Sequence, residues 1–362
     1  MKVQRVLVPN SARPAWTLLD DDFLPIGPVH EFLTYLNHLE RSPNTLRAYA
    51  HHLKLFWIYL GENGIEWAEL SPRQLVEFVS WLRRPEPATS DANVRRQLMR
   101  GAATINVMLA AVAAFYEYHE RLGAVVASPA LQRERALPLP YKSFFHHLRK
   151  RVDRERTVKL RAPKRLPVTL STEQVQRLVS ACFRARDRFL VCLLYETGMR
   201  IGQALGLRHE DIRSYDNEIH VVPRDNVNGA RAKCREEYVV HVSKPLMELY
   251  ADYLVREHRG NDSDYVFVNC WGGQVGSPLK YATIIDLFQR LSRESGVPAR
   301  PHQLRHTHAT ELLRGGLNMA YVQKRLGHAQ IQTTMKTYAH LGDEDLKAAY
   351  FAYLAARRDH NQ

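Results

Sequence analysis

The sequence predicts a mostly α chain with a small antiparallel sheet (α+β), divided into a helical N-terminal domain and a larger mixed domain. Three observations carry that expectation. Apolar residues recur at helical spacing through the first third of the chain, behind repeated Ser-Pro start signals. Two β-branched runs flank Asn228-Gly229, a dipeptide that closes hairpins because both residues tolerate positive φ. Between the two regions the composition shifts to a stretch crowded with Lys and Arg. A chain of 362 residues is long enough to bury a core in each domain.

Residues 1–27 hold short alternating stretches with Pro9, Pro14 and Pro25, which reads as an arm or small hairpin. Residues 28–131 form the helical domain. Val29, Phe32, Leu33 and Leu36 make one stripe. Ser42-Pro43 opens a second helix, with Leu46, Tyr49, Leu53, Phe56 and Leu60 on one face and Gly61 as its expected stop. Ser71-Pro72 repeats the signal ahead of Leu75, Phe78, Val79 and Leu82. A fourth helix starts near Thr104, buries Ile105, Met108, Leu109, Val112 and Phe115, and stops at Gly123.

Residues 132–165 carry twelve Lys or Arg against Glu134, Asp153 and Glu155, and read as a basic linker, or a linker with one short helix, suited to lying along a phosphate backbone. The second domain spans 166–362. Ser171-Thr-Glu-Gln174 has capping-box spacing, and a helix through Phe189–Tyr195 ends at Gly198. Residues 218–222 and 238–242 are the hairpin strands, and residues 265–268 are expected to be a third strand. From Pro301 onward the chain is helical, with stops at Gly315, Gly316 and Gly327.

Lys and Arg total 51 against 38 acidic residues, a formal charge of +13 that suits a polyanionic partner such as nucleic acid. Cys182, Cys192, Cys234 and Cys270 show no metal-binding or disulfide spacing, and neither a signal peptide nor a membrane span is evident. The expectation is a soluble, cytoplasmic protein with no membrane contact.

Six residues of the second domain form the candidate catalytic set: Arg200, Lys233, His302, Arg305, His328 and Tyr338. They match what phosphodiester cleavage without a metal requires. Two guanidiniums, Arg200 and Arg305, can hold the non-bridging oxygens as charge builds on them. Lys233, on the hairpin, can protonate the leaving 5′-oxygen. His302 and His328 can hydrogen-bond the phosphate or exchange a proton. Tyr338 supplies a phenol able to form a phosphate ester. His302 and Arg305 sit in the first turn of a helix opened by Pro301, whose free N–H groups favour an anion.

Taken singly, each has an ordinary reading: a surface ion pair, a solvated hairpin lysine, a helix cap, or a core aromatic such as Tyr350 and Tyr353. Arg224 and Arg231 also compete with Lys233. The spacing of His302, His306 and His308 lacks the glutamate of a zinc protease and a third ligand, so no metal is expected. No phosphate-binding Gly-Lys loop occurs, so no cofactor or nucleotide is expected either.

With these motifs in place, the chain resembles the tyrosine recombinases, the phage integrase family. Thr-Gly-Met-Arg200, Pro-His302-Gln-Leu-Arg305, Leu-Gly-His328 and Thr-Tyr338-Ala-His carry the resemblance in the second domain. Ser42-Pro-Asn-Thr-Leu-Arg-Ala-Tyr49 looks like the family's helical, SAM-like core-binding domain. The opening residues, the length and the Asn228-Gly-Ala-Arg-Ala-Lys233 hairpin are similar, more particularly, to the transposase A type of three-gene site-specific transposons. The resemblance implies a clamp on double-stranded DNA, a tyrosine-recombinase catalytic domain, and a 3′-phosphotyrosyl intermediate made by Tyr338. It also implies a homo-oligomer, a tetramer on paired sites, with accessory transposition proteins as possible partners, and no need of ATP or metal.

The family places Glu or Asp three residues after the first arginine, where this chain has Gln203, which predicts a working enzyme that is slower or more tightly regulated and that Gln203→Glu would not impair. Two other functions are open at this point: a type IB topoisomerase, and a site-specific DNA-binding protein without catalysis. The apolar stripe Leu346, Tyr350, Tyr353 and Leu354 past the nucleophile bears on the first, since it can dock in cis or on a neighbouring protomer.

Overall fold

The structure is a computed structural model describing residues 1–7, 14–84, 100–125, 129–133, 154–163, 167–232, 234, 236–258 and 260–327. The Cα framework separates into two compact units, Met1–Lys164 and Arg165–Gln362.

In the first unit the opening residues form a hairpin, β1 (Lys2–Leu7) antiparallel to β2 (Pro14–Leu19). Four helices follow: α1 (Gly27–His38), α2 (Pro43–Asn63), α3 (Pro72–Leu82) and α4 (Ala102–Arg121). Proline opens α2 and α3 because the first helical N–H has no partner to lose and the ring presets φ. Ser71 and Gln74 close a reciprocal capping box on α3, whereas Ser42 makes no side-chain cap bond on α2.

The stop of α2 differs from the expectation. The helix runs through Gly61, and Gly64 takes the left-handed cap at φ 64°. Gly61 stays helical because that cap is formed one turn later. The core is aromatic: Phe56 meets Phe78 and Tyr116 edge-on, and Phe32 meets Phe115 in the same way.

The basic stretch is not wholly a loose connector. Its described ends pair as β3 (Leu131–Arg133) and β4 (Arg154–Arg156). Beyond β4, Asn106 of α4 mimics a strand partner for Leu160, donating from Nδ2 to the Leu160 carbonyl and accepting from its N–H, both at 2.8 Å. Val158 and Leu160 lie on the first core. Apolar side chains alternating with the basic ones supply that anchor, which charge content alone conceals.

The second unit contains α5 (Thr172–Ser180), α6 (Ala185–Thr197), the single-turn α7 (Ile201–Ala204), and a sheet of β5 (Ile212–Arg213), β6 (Glu218–Val221) and β7 (Tyr238–His241). Then come α8 (Lys244–Arg256), α9 (Tyr281–Ser295), α10 (Pro301–Arg314) and α11 (Met319–Leu326). β6 and β7 pair antiparallel in the register Glu218↔His241 to Val221↔Tyr238.

The expected third strand is corrected. β5 occupies that place, and Tyr265 and Val268 make only isolated bridges, to Arg208 and Pro278. Val266, Phe267 and Val268 are fully buried, so this run goes through the core rather than along a sheet edge. Buried Asp187 ties α6 to it: Asp187 accepts from Arg186 at 2.7 Å and from Arg290 at 2.8 Å, while Arg186 also donates to the Val268 carbonyl at 3.0 Å. Among the described residues, no helix is long and apolar enough to cross a membrane.

Candidate active site

The C-terminus of α6 organises the site. A helix ends with carbonyls that have no intrahelical donor and carry its negative dipole end. Here side chains from the last two described helices satisfy them. Arg305 of α10 donates from Nη1 to the Gly198 carbonyl at 2.7 Å. Arg325 of α11 donates from Nη2 to the Glu196 carbonyl at 3.1 Å, and His308 of α10 bonds the Tyr195 carbonyl. Arg305 also reaches the end of α11, donating from Nη2 to the Leu326 carbonyl at 2.9 Å. One guanidinium, only 2% exposed, therefore joins two helix ends.

Both helix ends carry a glycine that geometry requires. Gly198 has φ 63°, and a Cβ there would stand 2.6 Å from His308 Cδ2. Gly327 has φ 62°, and a Cβ there would stand 2.7 Å from the Tyr238 ring. Any larger residue would meet the left-handed backbone penalty and a clash together.

Arg200 is the N-cap of α7, two residues past Gly198. Its backbone N–H donates to Gln203 Oε1 at 2.7 Å, and Gln203 Nε2 donates to the Tyr238 hydroxyl at 2.9 Å. Gln203 is 2% exposed. Burial pushes the Tyr238 hydroxyl above its ordinary pKa, against the opposing pull of Arg305, the Gln203 bond and Arg200. Both candidate guanidiniums thus act on the same hydroxyl.

The same back-capping device opens α10, where the Arg300 N–H donates to Gln303 Oε1 at 2.7 Å. Pro301 leads that helix. His302 is exposed at its start, its ring centroid 4.6 Å from that of His306 at 78°, whereas Arg305 is buried one turn on.

The loop between β6 and β7 lies across α7. A Cβ on Gly202 would meet the Arg231 carbonyl at 2.7 Å, and Asn228 Nδ2 donates to the Leu205 and Leu279 carbonyls. Cys234 Sγ is 4.0 Å from Gln203 Nε2. The competitors for the lysine position are committed elsewhere: Arg224 pairs with Asp211 and Glu210, and Arg231 with Asp225. Lys233, His328 and Tyr338, with the stripe Leu346, Tyr350, Tyr353 and Leu354, lie outside the described residues. Tyr238, Arg325, the place of His308 at the end of α6 and the Gly327 contact escaped sequence reasoning. Nothing local separates Tyr238 from any aromatic strand residue.

His308 cannot serve as a metal ligand in this arrangement, because its Nε2 accepts from Arg325 Nε at 3.1 Å while its other nitrogen serves the Tyr195 carbonyl. Burial, then Arg325 and Arg305, lower its pKa from 6.5 to about 3. An unfolded chain binds a proton near 6.5 that the folded site refuses. Stability is therefore intact above pH 6.5 and declines as pH falls toward 3, by up to ~1.4 kcal/mol per pH unit. Urea unfolding midpoints between pH 7 and 4 should drop less steeply in His308→Gln than in the wild type; equal slopes would contradict this assignment.

Residues 169–345 match the phage integrase family, and residues 29–123 match its N-terminal SAM-like domain. The chain is 41% identical over 364 residues to transposase A from transposon Tn554 of Staphylococcus aureus, covering 100% of both. It is 27% identical over 323 residues to tyrosine recombinase XerA of Pyrococcus furiosus, covering 89% of this chain and 92% of that relative. Among solved structures it resembles the Tn1549 transposon integrase in complex with transposon right end DNA, with a TM-score of 0.62 and 16% identity over 89% of this chain and 98% of the other. It also resembles the XerH site-specific recombinase bound to a palindromic difH substrate, with a TM-score of 0.59 and 21% identity over 92% and 89%. At such identities these two likenesses concern the fold. Full-length identity to the Tn554 protein and a catalytic-domain match that spans Arg200 and Arg305 place the chain in the phage integrase family, among the tyrosine site-specific recombinases.

Proposed function

We propose that this recombinase moves a transposon, cutting and rejoining double-stranded DNA at integration and excision through a phosphotyrosine link. The observation that carries the site assignment is the convergence of Arg200 and Arg305: the Gly198 carbonyl bonded by Arg305 lies two residues before Arg200, and Tyr238, bonded by Gln203 next to Arg200, packs on Gly327 beside the Leu326 carbonyl that Arg305 also holds. Two guanidiniums in one place suit the two non-bridging oxygens of a phosphate.

In the proposed reaction the Tyr338 phenol passes its proton to His302 or His328, its oxygen attacks phosphorus, and the bond from phosphorus to the 5′-oxygen breaks. Lys233 gives that oxygen its proton, leaving a 3′-phosphotyrosyl ester and a free 5′-hydroxyl. A 5′-hydroxyl from another strand then attacks the ester and returns its proton to Lys233, while the bond from phosphorus to the tyrosine oxygen breaks and the phenolate takes its proton back. Arg200 and Arg305 offset the charge on the phosphate throughout, with His302 and His328 as hydrogen-bond partners. The ester conserves bond energy, so strand joining needs no ATP.

Strand exchange requires paired sites, hence a tetramer of this chain working in the cytoplasm, with accessory transposition proteins as partners. Gln203 gives no support to a non-catalytic reading, because both ends of its amide are engaged in holding the arginine and the tyrosine.

A nicked suicide substrate tests this. The cut releases a short fragment that cannot return, so the wild-type chain should accumulate as a covalent DNA adduct. No adduct on transposon-end DNA would sink the catalytic reading. Supercoil relaxation without recombinant products would favour a topoisomerase.

A further inference from the structure

The orientation of the Gln203 amide is settled by its partners. A backbone N–H can only donate, so the oxygen of the amide must face Arg200, at 2.7 Å. The amide nitrogen therefore faces Tyr238, at 2.9 Å, and an NH₂ group can only donate as well. The Tyr238 oxygen is the acceptor, and its own hydrogen must go elsewhere. Gln203 is the hydrogen-bond partner of this hydroxyl among the described residues. The guanidiniums of Arg200 and Arg305, which act on it electrostatically, have no acceptor to offer.

The hydroxyl sits where three segments meet. They are the first turn of α7, the start of β7, and the cap of α11, where a Cβ on Gly327 would stand 2.8 Å from the Tyr238 oxygen. The next residue in the chain is His328. Among the described residues no acceptor faces that hydrogen, and an oxygen-rich anion held by the two arginines would supply one.

We infer that Tyr238 is a further catalytic residue, whose hydroxyl, aimed by Gln203, donates a hydrogen bond to a non-bridging oxygen of the scissile phosphate. This rests on the proposed recombinase site. It also gives Gln203 a purpose. A carboxylate at 203 would accept from both the Arg200 N–H and the Tyr238 hydroxyl, and so take the hydrogen away from the phosphate. The expectation that Gln203→Glu would leave strand transfer unimpaired is thereby reversed.

Single-turnover cleavage of the nicked substrate by the full chain tests the inference. Tyr238→Phe should be about 100-fold slower at unchanged DNA affinity, the usual scale for losing one donor to developing oxyanion charge. Gln203→Glu should be slowed in the same direction, and the double variant should be no slower than Tyr238→Phe alone. On substrates with a methylphosphonate at the cleavage position, the Tyr238→Phe penalty should vanish for the diastereomer that lacks the contacted oxygen.

Tyr238→Phe cleaving at the wild-type rate would overturn the inference. So would a penalty that is the same on the natural substrate and on both diastereomers, which would mark a purely structural role. Wild-type adduct formation with an unaffected Tyr238→Phe removes this inference alone. Absence of any wild-type adduct removes the proposed function with it.

Discussion

Tyr338→Phe is expected to abolish the covalent protein–DNA adduct while leaving DNA affinity unchanged. The substitution removes one oxygen, and that oxygen is the proposed nucleophile. The other assigned phenol, Tyr238, is proposed to donate to a non-bridging oxygen and not to stand opposite the leaving 5′-oxygen, so the loss should exceed about 10⁴-fold. Affinity should survive because Lys and Arg contacts to the sugar-phosphate backbone dominate binding, and the chain keeps its charge of +13. The measurement pairs adduct yield on a denaturing gel with a salt-dependent binding isotherm. An adduct that persists in Tyr338→Phe would mean another of the 17 tyrosines attacks, and peptide mapping of the adduct would identify it.

Arg305→Met should produce the largest combined loss of stability and activity. Methionine roughly fills the volume but donates nothing, leaving the Gly198 and Leu326 carbonyls without the bonds they now receive at 2.7 and 2.9 Å. Each unsatisfied buried group costs roughly 1–3 kcal/mol, so a combined loss of about 2–5 kcal/mol is expected. For a unit of this size that corresponds to a melting temperature lower by roughly 5–15 °C.

Cleavage should fall further than stability explains, by at least about 100-fold at a temperature where the variant stays folded, because one phosphate-holding cation is gone. Arg305→Lys separates the two effects. It keeps the charge but cannot span two carbonyls as a planar fork does, so it should recover some binding of the transition state and little of the stability. A folded Arg305→Met that cleaves at the wild-type rate would remove Arg305 from the site.

These predictions mix what was legible in the chain with what was not. Ser171 and Gln174, and Pro301 ahead of α10, announce their local structure, because caps and proline act within about one turn of themselves, whereas Asn228-Gly229 marks only a turn within the long loop that joins Val221 to Tyr238, with Gly229 but not Asn228 at positive φ. The run 265–268 misleads for the same reason. Its residues favour extended backbone, but whether such a run pairs in a sheet or crosses the core depends on what surrounds it.

The sequence by itself determined the two-region layout, the helical and hairpin segments, the chain order of the candidate set, and the excess of positive charge. Only the tertiary structure decided that Arg305 is buried between two helix ends, that His308 is locked neutral, and that Gln203 turns its amide so as to leave a hydrogen on Tyr238. Local signals reach three or four residues along the chain, whereas Arg305 and Gly198 are separated by 107 and Gln203 and Tyr238 by 35. Hydrogen bonds of that reach exist only after the helices have packed, and it is packing that assigns each polar atom its partner.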